Sequence, residues 1–244
     1  MELERSGRER FFSADQYRFL KMQPFLRRLW IPFYSFWVLR YIRKERVYQY
    51  GDLRLVVPPG VFHPGVFFST PVFISFLQTI DLQDKEVLDI GTGSGLLALF
   101  AARQGASVTA LDINPAAVEA ARRNAAANDL SITVVESDLL AGLPAQSFDV
   151  ILINPPYFPA DPRNAADHAF FAGENWEYFE ELFRQLPVCL NAGTQTWMIL
   201  SENCNLEKIA NIAAANGFRL TTVFEKTKWG ERFRVIAVNP TKSL

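Results

Sequence analysis

Val87-Leu88-Asp89-Ile90-Gly91-Thr92-Gly93-Ser94-Gly95-Leu96-Leu97-Ala98-Leu99-Phe100 is the stretch that decides the fold. A short apolar run of buried-strand character enters three glycines at alternate positions and leaves as an apolar helix-forming segment. Glycine lets the chain turn sharply there and approach a ligand within contact distance. A dinucleotide fingerprint requires its third glycine where Leu96 stands, so the spacing is Gly-x-Gly-x-Gly instead. On its own this turn fits either a structural corner or a ligand site.

Outward from the turn, strand and helix patterns alternate. Strands are expected over residues 86–90, 108–113, 132–136, 148–153, 196–200, 219–226 and 233–239. Helices are expected over 96–104, from Asn114 with Pro115 at its first position, over 176–190 disturbed by Pro187, and over 206–215 ending at Gly217. Such alternation implies an α/β fold, a parallel sheet covered on both faces. The short turn at Trp229-Gly230 reverses the last strand.

Residues 1–60 read as a small, mainly helical appendage, and residues 61–244 as the main domain. Ser13 and Gln16 form a capping box for a helix through about residue 22, and Pro24 stops it. Helical pieces over 25–46 break at Pro32. A hairpin over 47–50 and 53–57 turns at Gly51-Asp52, before Pro58-Pro59-Gly60. Residues 1–54 hold 12 Lys and Arg against 6 Asp and Glu, whereas the rest holds 13 against 20. This basic, aromatic head suits a lid on the core, a nucleic acid, a protein substrate or an anionic membrane surface.

Composition narrows the classes. With 49% hydrophobic and 21% charged residues over 244 positions, the chain is neither disordered nor fibrous. Cys189 and Cys204 match no zinc-ligand spacing, so no metal is expected and a reducing cytoplasm is the expected compartment. The charged first ten residues do not read as a secretory signal. Residues 29–39, the longest uncharged run of the head, contain Pro32 and fall short of the roughly 20 residues a span needs, so no membrane insertion is expected. His63 and His168 have no ligand spacing and read as packing or loop residues. Nothing fixes an oligomeric state.

Acids at successive strand ends sharpen the glycine turn. Asp112 follows the second strand at the sheet edge where open α/β folds bind ligands, and a carboxylate there can take both hydrogens of a ribose diol. Asp138 follows the third strand and can accept from an adenine amino group. Asp89 lies beneath the turn. Neither the turn nor its flanks carry Arg or Lys, so a ligand with a positive centre fits better than a pyrophosphate. Asn154-Pro155-Pro156-Tyr157 follows the fourth strand. Its prolines fix φ and remove N–H donors, leaving the Asn154 side chain and local carbonyls as rigid acceptors for a planar –NH₂ on which Tyr157 can stack.

In this order the motifs resemble class I S-adenosylmethionine-dependent methyltransferases over about residues 60–240. Within them the chain is similar to the amino-group branch: the release-factor glutamine and the adenine-N6 and guanine-N2 enzymes. The resemblance implies a Rossmann-like, seven-stranded, mostly parallel sheet with a reversed last strand, and S-adenosyl-L-methionine as cofactor. It implies that Asp89, Gly91, Thr92, Gly93, Gly95, Asp112, Ile113, Asp138, Leu139 and Asn154 bind that cofactor. Asn154, Pro155 and Tyr157 would be catalytic, and Phe68, Pro156 and Tyr157 would meet the substrate. The segment Val61 to Thr70 keeps the family's proline and hydroxyls but has Gly65, Val66 and Phe67 in place of its acids. The implied function is N-methylation of a macromolecule, either a protein of the translation-factor kind or RNA or DNA. A small-molecule N-methyltransferase and a non-catalytic binding subunit are the alternatives.

Overall fold

A computed structural model describes residues 40–228 and 230–241. The helices expected over 13–39 lie outside the described residues. In chain order the elements are β1 (Arg46–Tyr50), β2 (Leu53–Val57), α1 (Ser69–Leu77), β3 (Glu86–Ile90), α2 (Leu96–Arg103), β4 (Ser107–Asp112), α3 (Pro115–Ala127), β5 (Thr133–Glu136), β6 (Val150–Ile153), α4 (Glu177–Gln185), β7 (Gln195–Ser201), α5 (Leu206–Ala215), β8 (Phe218–Lys228) and β9 (Glu231–Pro240).

Strands β3 to β9 form one sheet in the order β5-β4-β3-β6-β7-β9-β8. The pairs from β5 across to β7 are parallel, and β9 is antiparallel to both neighbours. The expected mostly parallel sheet with its last strand reversed is therefore present, and the reversed strand lies inside it rather than at its edge. Strand β6 shows why the sheet is covered twice. Val150 and Leu152 pack into one apolar cluster with α1, α2 and α3, while Ile151 and Ile153 pack into another with α4 and α5. All four are buried, which explains the continuous apolar run in place of an alternating one.

Helix α1 is a finding that the sequence patterns did not anticipate. Eight of its nine residues are buried, so it has no polar face to give a 3.6-residue rhythm. Pro71 sits in its first turn, where no intrahelical N–H bond is lost. The helix expected over 176–190 divides where its proline falls. α4 ends at Gln185, and a 3₁₀ turn, Leu186–Cys189, takes Pro187 in its first two positions.

The hairpin β1–β2 turns at Gly51-Asp52 with Tyr50 paired to Leu53, and Gly51 has a φ of 60°. Leu53 and Leu55 are buried in the same cluster as β3 and α2. The outer edge of β2 is met by side chains instead of a strand. The Asn128 amide exchanges two hydrogen bonds with the backbone of Arg54 (2.9 and 2.8 Å), and the Asn124 amide two with Val56 (2.8 and 3.0 Å). One helical turn apart, within α3 and at its C-cap, these amides match the two-residue repeat of the strand edge.

Candidate active site

Three glycines turn the chain from β3 into α2, all with left-handed φ: 74° at Gly91, 58° at Gly93 and 89° at Gly95. A Cβ at Gly95 would lie 3.2 Å from the Ala121 Cα, a tight contact between α2 and α3, and the φ of 89° strains any other residue there. At Gly91 a Cβ would meet nothing within 4 Å. The N–H groups of Gly91 and Thr92 donate to the Leu111 carbonyl at the end of β4 (2.9 and 2.8 Å), which locks the turn to the next strand.

The acids differ in setting. Asp112 accepts from the Gly93 N–H (2.8 Å) on Oδ2 and from the Asn114 N–H (2.9 Å) on Oδ1. Each oxygen keeps a second lone pair, and both are held by backbone rather than by a mobile side chain. Burial raises its pKa above the ordinary carboxylate value, against those two N–H bonds. Asp89 is fully buried. Its Oδ2 accepts the Thr92 hydroxyl at 2.7 Å, while its buried Oδ1 has no partner. Burial pushes the Asp89 carboxyl up to about 7, with the Thr92 bond opposing and the Asp112 charge adding to the shift. Asp138 is exposed, two residues past the end of β5.

At the end of β6, the Asn154 amide is held from two sides. Its Nδ2 donates to Thr70 Oγ1 at 3.1 Å, and its Oδ1 accepts from the Tyr157 hydroxyl at 3.2 Å. The Tyr157 hydroxyl also lies 3.4 Å from the Ile199 carbonyl. Burial raises its pKa well above the phenol value, so it is a neutral donor.

One cleft at this sheet edge is lined by Gly91, Thr92, Gly93, Asp112, Ile113, Asp138, Leu139, Asn154 and Pro156. Asp89, Gly95, Pro155, Tyr157 and Phe68 do not line it. The Lys228 ammonium stands 5.6 Å over the Phe68 ring. Thr70, Tyr178, Phe62 and His168 also line it, although the sequence patterns did not mark them as site residues. Tyr178 comes from the first turn of α4, and burial with the charges of Asp112, Asp138 and Asp89 raises its pKa. His168 comes from the 3₁₀ turn Asp167–Ala169. Asp161 and Asp167 accept the N–H groups of Glu174 (3.1 Å) and Arg163 (2.9 Å) and so shape the loop itself. His63 is buried away from the cleft lining, its Nδ1 accepting from the Gly65 N–H at 3.1 Å. Burial lowers its pKa to about 4. Among the described residues no group of three or more His, Cys, Asp or Glu could hold a metal.

This geometry can be tested against a cationic, amino-bearing nucleoside. A buried carboxylate oxygen lacks a partner beneath the turn, and Gly91 opens onto free space. The rim is acidic, with no Arg or Lys among the lining residues. The residues fit such a ligand. The family model for the methyltransferase small domain matches residues 52–237. The chain belongs to the methyltransferase small domain family. It is a methyltransferase whose cofactor is S-adenosylmethionine. The methyltransferase is 33% identical over 165 residues to a putative protein N5-glutamine methyltransferase of Methanocaldococcus jannaschii, covering 65% of this chain and 83% of that one. It is 46% identical over 137 residues to the release factor glutamine methyltransferase of Deinococcus radiodurans, covering 52% of this chain and 49% of that one. The chain thus spans about half the length of this second relative. The solved ribosomal protein L11 methylase of Lactobacillus delbrueckii subsp. bulgaricus superposes with a TM-score of 0.54 at 26% identity, over 72% of this chain and 81% of that chain. No helix among the described residues is long and apolar enough to cross a membrane.

Proposed function

We propose that this methyltransferase moves a methyl group to the planar –NH₂ nitrogen of a macromolecule, with a protein glutamine amide as the acceptor. One observation carries the reading. Asn154, an amide with a free acceptor lone pair, lines the same cleft as the glycine turn and Asp112. The glutamine-modifying relatives named above favour the amide. A nucleobase amine is the second reading, favoured by the basic, aromatic residues 1–54, which we assign to recognition of the macromolecule. The cytoplasm is part of the same reading, since Cys189 and Cys204 are buried and unbridged.

S-adenosylmethionine, when bound, supplies a methyl group on a positively charged sulfur, so the acceptor nitrogen need not be ionised. Asp112 would hold the ribose, Asp138 the adenine amino group, and the glycine turn, braced from beneath by Asp89, the amino-acid end. Thr92 would keep Asp89 oriented, while Ile113 and Leu139 would flank the base. An amide nitrogen is a poor nucleophile because its lone pair is delocalised. The protein's part is therefore alignment and charge placement. Asn154 Oδ1 and the Pro155 carbonyl would accept the two N–H bonds, fix the nitrogen and stabilise the positive charge that grows on it. Pro156 would keep the acceptor side free of competing N–H donors, and Tyr157 and Phe68 would border the acceptor.

The test uses S-adenosylmethionine tritiated in its methyl group, a cell extract, and separation of protein from RNA. Label in protein supports the amide, label in RNA the base, and label in neither overturns the reading. Asn154→Ala is expected to slow labelling by about 10²-fold or more, the scale of one transition-state contact, while binding of S-adenosylhomocysteine stays within about twofold.

A further inference from the structure

We propose that Thr70 is a positioning residue that anchors the Asn154 carboxamide at the cleft and fixes its plane. The inference rests on the role proposed for Asn154. A primary amide is symmetric in shape and opposite in chemistry at its two ends: Oδ1 accepts, Nδ2 donates. An –NH₂ acceptor needs the oxygen at a fixed place, and a carboxamide free to swing about its last torsion would not hold it there. The prolines that follow Asn154 restrict its backbone but leave this last rotation free, because a terminal sp³–sp² torsion is broad.

A hydrogen bond to Thr70 restricts that rotation. The Thr70 Oγ1 takes a hydrogen from Nδ2 at 3.1 Å, across 84 residues of chain. The Tyr157 hydroxyl cannot do this alone, because its single proton has two takers, Asn154 Oδ1 at 3.2 Å and the Ile199 carbonyl at 3.4 Å. Thr70 is also well placed to be rigid. It sits in the first turn of α1, is buried, and is followed by Pro71. Phe73, Ile74 and Leu77 fix that helix in the core, each at most 1% exposed. A β-branched side chain there has few χ1 choices. The hydroxyl is thus a fixed point built on a helix, and it reaches the cleft itself.

Thr70→Val keeps the shape and removes the hydroxyl, and Thr70→Ser restores it. At saturating cofactor, Thr70→Val is expected to label the fraction that the wild type labels on the order of tenfold more slowly, the rate equivalent of one hydrogen bond. Thr70→Ser should recover to within about threefold, a loss below that of a full hydrogen bond. The Kd for S-adenosylhomocysteine and the Tm should stay near wild type in both. Wild-type labelling by Thr70→Val overturns the proposal, as does a slow rate matched by an equal loss of cofactor affinity, which would make Thr70 a cofactor contact. A second readout needs no acceptor. In protein labelled with ¹⁵N-asparagine, the Asn154 side-chain signal, identified by its loss in Asn154→Asp, should move in Thr70→Val and return in Thr70→Ser. An unmoved signal also overturns the proposal. If the wild type labels nothing, the proposed function fails, and this signal still decides whether Thr70 holds the amide.

Discussion

Asp89 shows what a single buried group does to the whole molecule's response to acid and base. Its folded pKa of about 7 stands above the ordinary value of 3.8. The protonated carboxyl is therefore the form the fold prefers. Its contribution to stability is complete below about pH 4 and is lost as pH rises through 7, on the order of 1 kcal/mol per pH unit. Urea unfolding at pH 5 and pH 8 should show the wild type weaker at the higher pH. Asp89→Asn, which cannot ionise, should flatten the difference; an equal slope in both proteins would refute this. At the same scale, the sequence made Asp112 and Asn154 legible because each follows a strand in a recognisable pattern. Thr70 was not legible as a partner of Asn154, since a hydrogen bond across 84 residues leaves no periodic trace. The only signal was a pair of hydroxyls, Ser69-Thr70, kept after Pro64.

Among elements, α3 bears more than a sheet-covering face. Asn124 bonds Val56 twice and also donates to the Ser94 carbonyl in the glycine turn at 2.9 Å, so one amide ties the hairpin to the candidate cofactor loop. Replacing it by leucine strands three backbone groups, two at half-buried Val56 and one at buried Ser94. Asn124→Leu is expected to lower unfolding free energy by about 2–4 kcal/mol, measured by urea titration. A change below about 1 kcal/mol, the worth of a single hydrogen bond, would mean that solvent replaces the clamp. The hairpin was readable from Gly51-Asp52, but its clamp was not, because asparagine on a helix ordinarily marks a cap or a solvated face. The unanticipated α1 makes the complementary point. A helix buried on all sides loses the contrast that pattern reading depends on.

Taken whole, the sheet was the most legible part, since strand and helix periods alternate strongly and the final turn dictates one reversal. The order of strands within it is set by packing between distant segments. Binding to the cleft should be visible in global stability. S-adenosylhomocysteine at a hundred times its Kd adds about 2.7 kcal/mol by mass action, which for a chain of this size raises Tm by roughly 5–10 °C. An unchanged Tm under those conditions would count against ligand binding in this fold. The interior place of β9, between β7 and β8, has a consequence during synthesis. β8 leaves the ribosome before the strand that must join it to the sheet, and β7 keeps a bare edge until residue 240 has emerged. Chains halted at residue 228 should therefore adhere to chaperones or to each other, whereas chains carried through residue 240 should release.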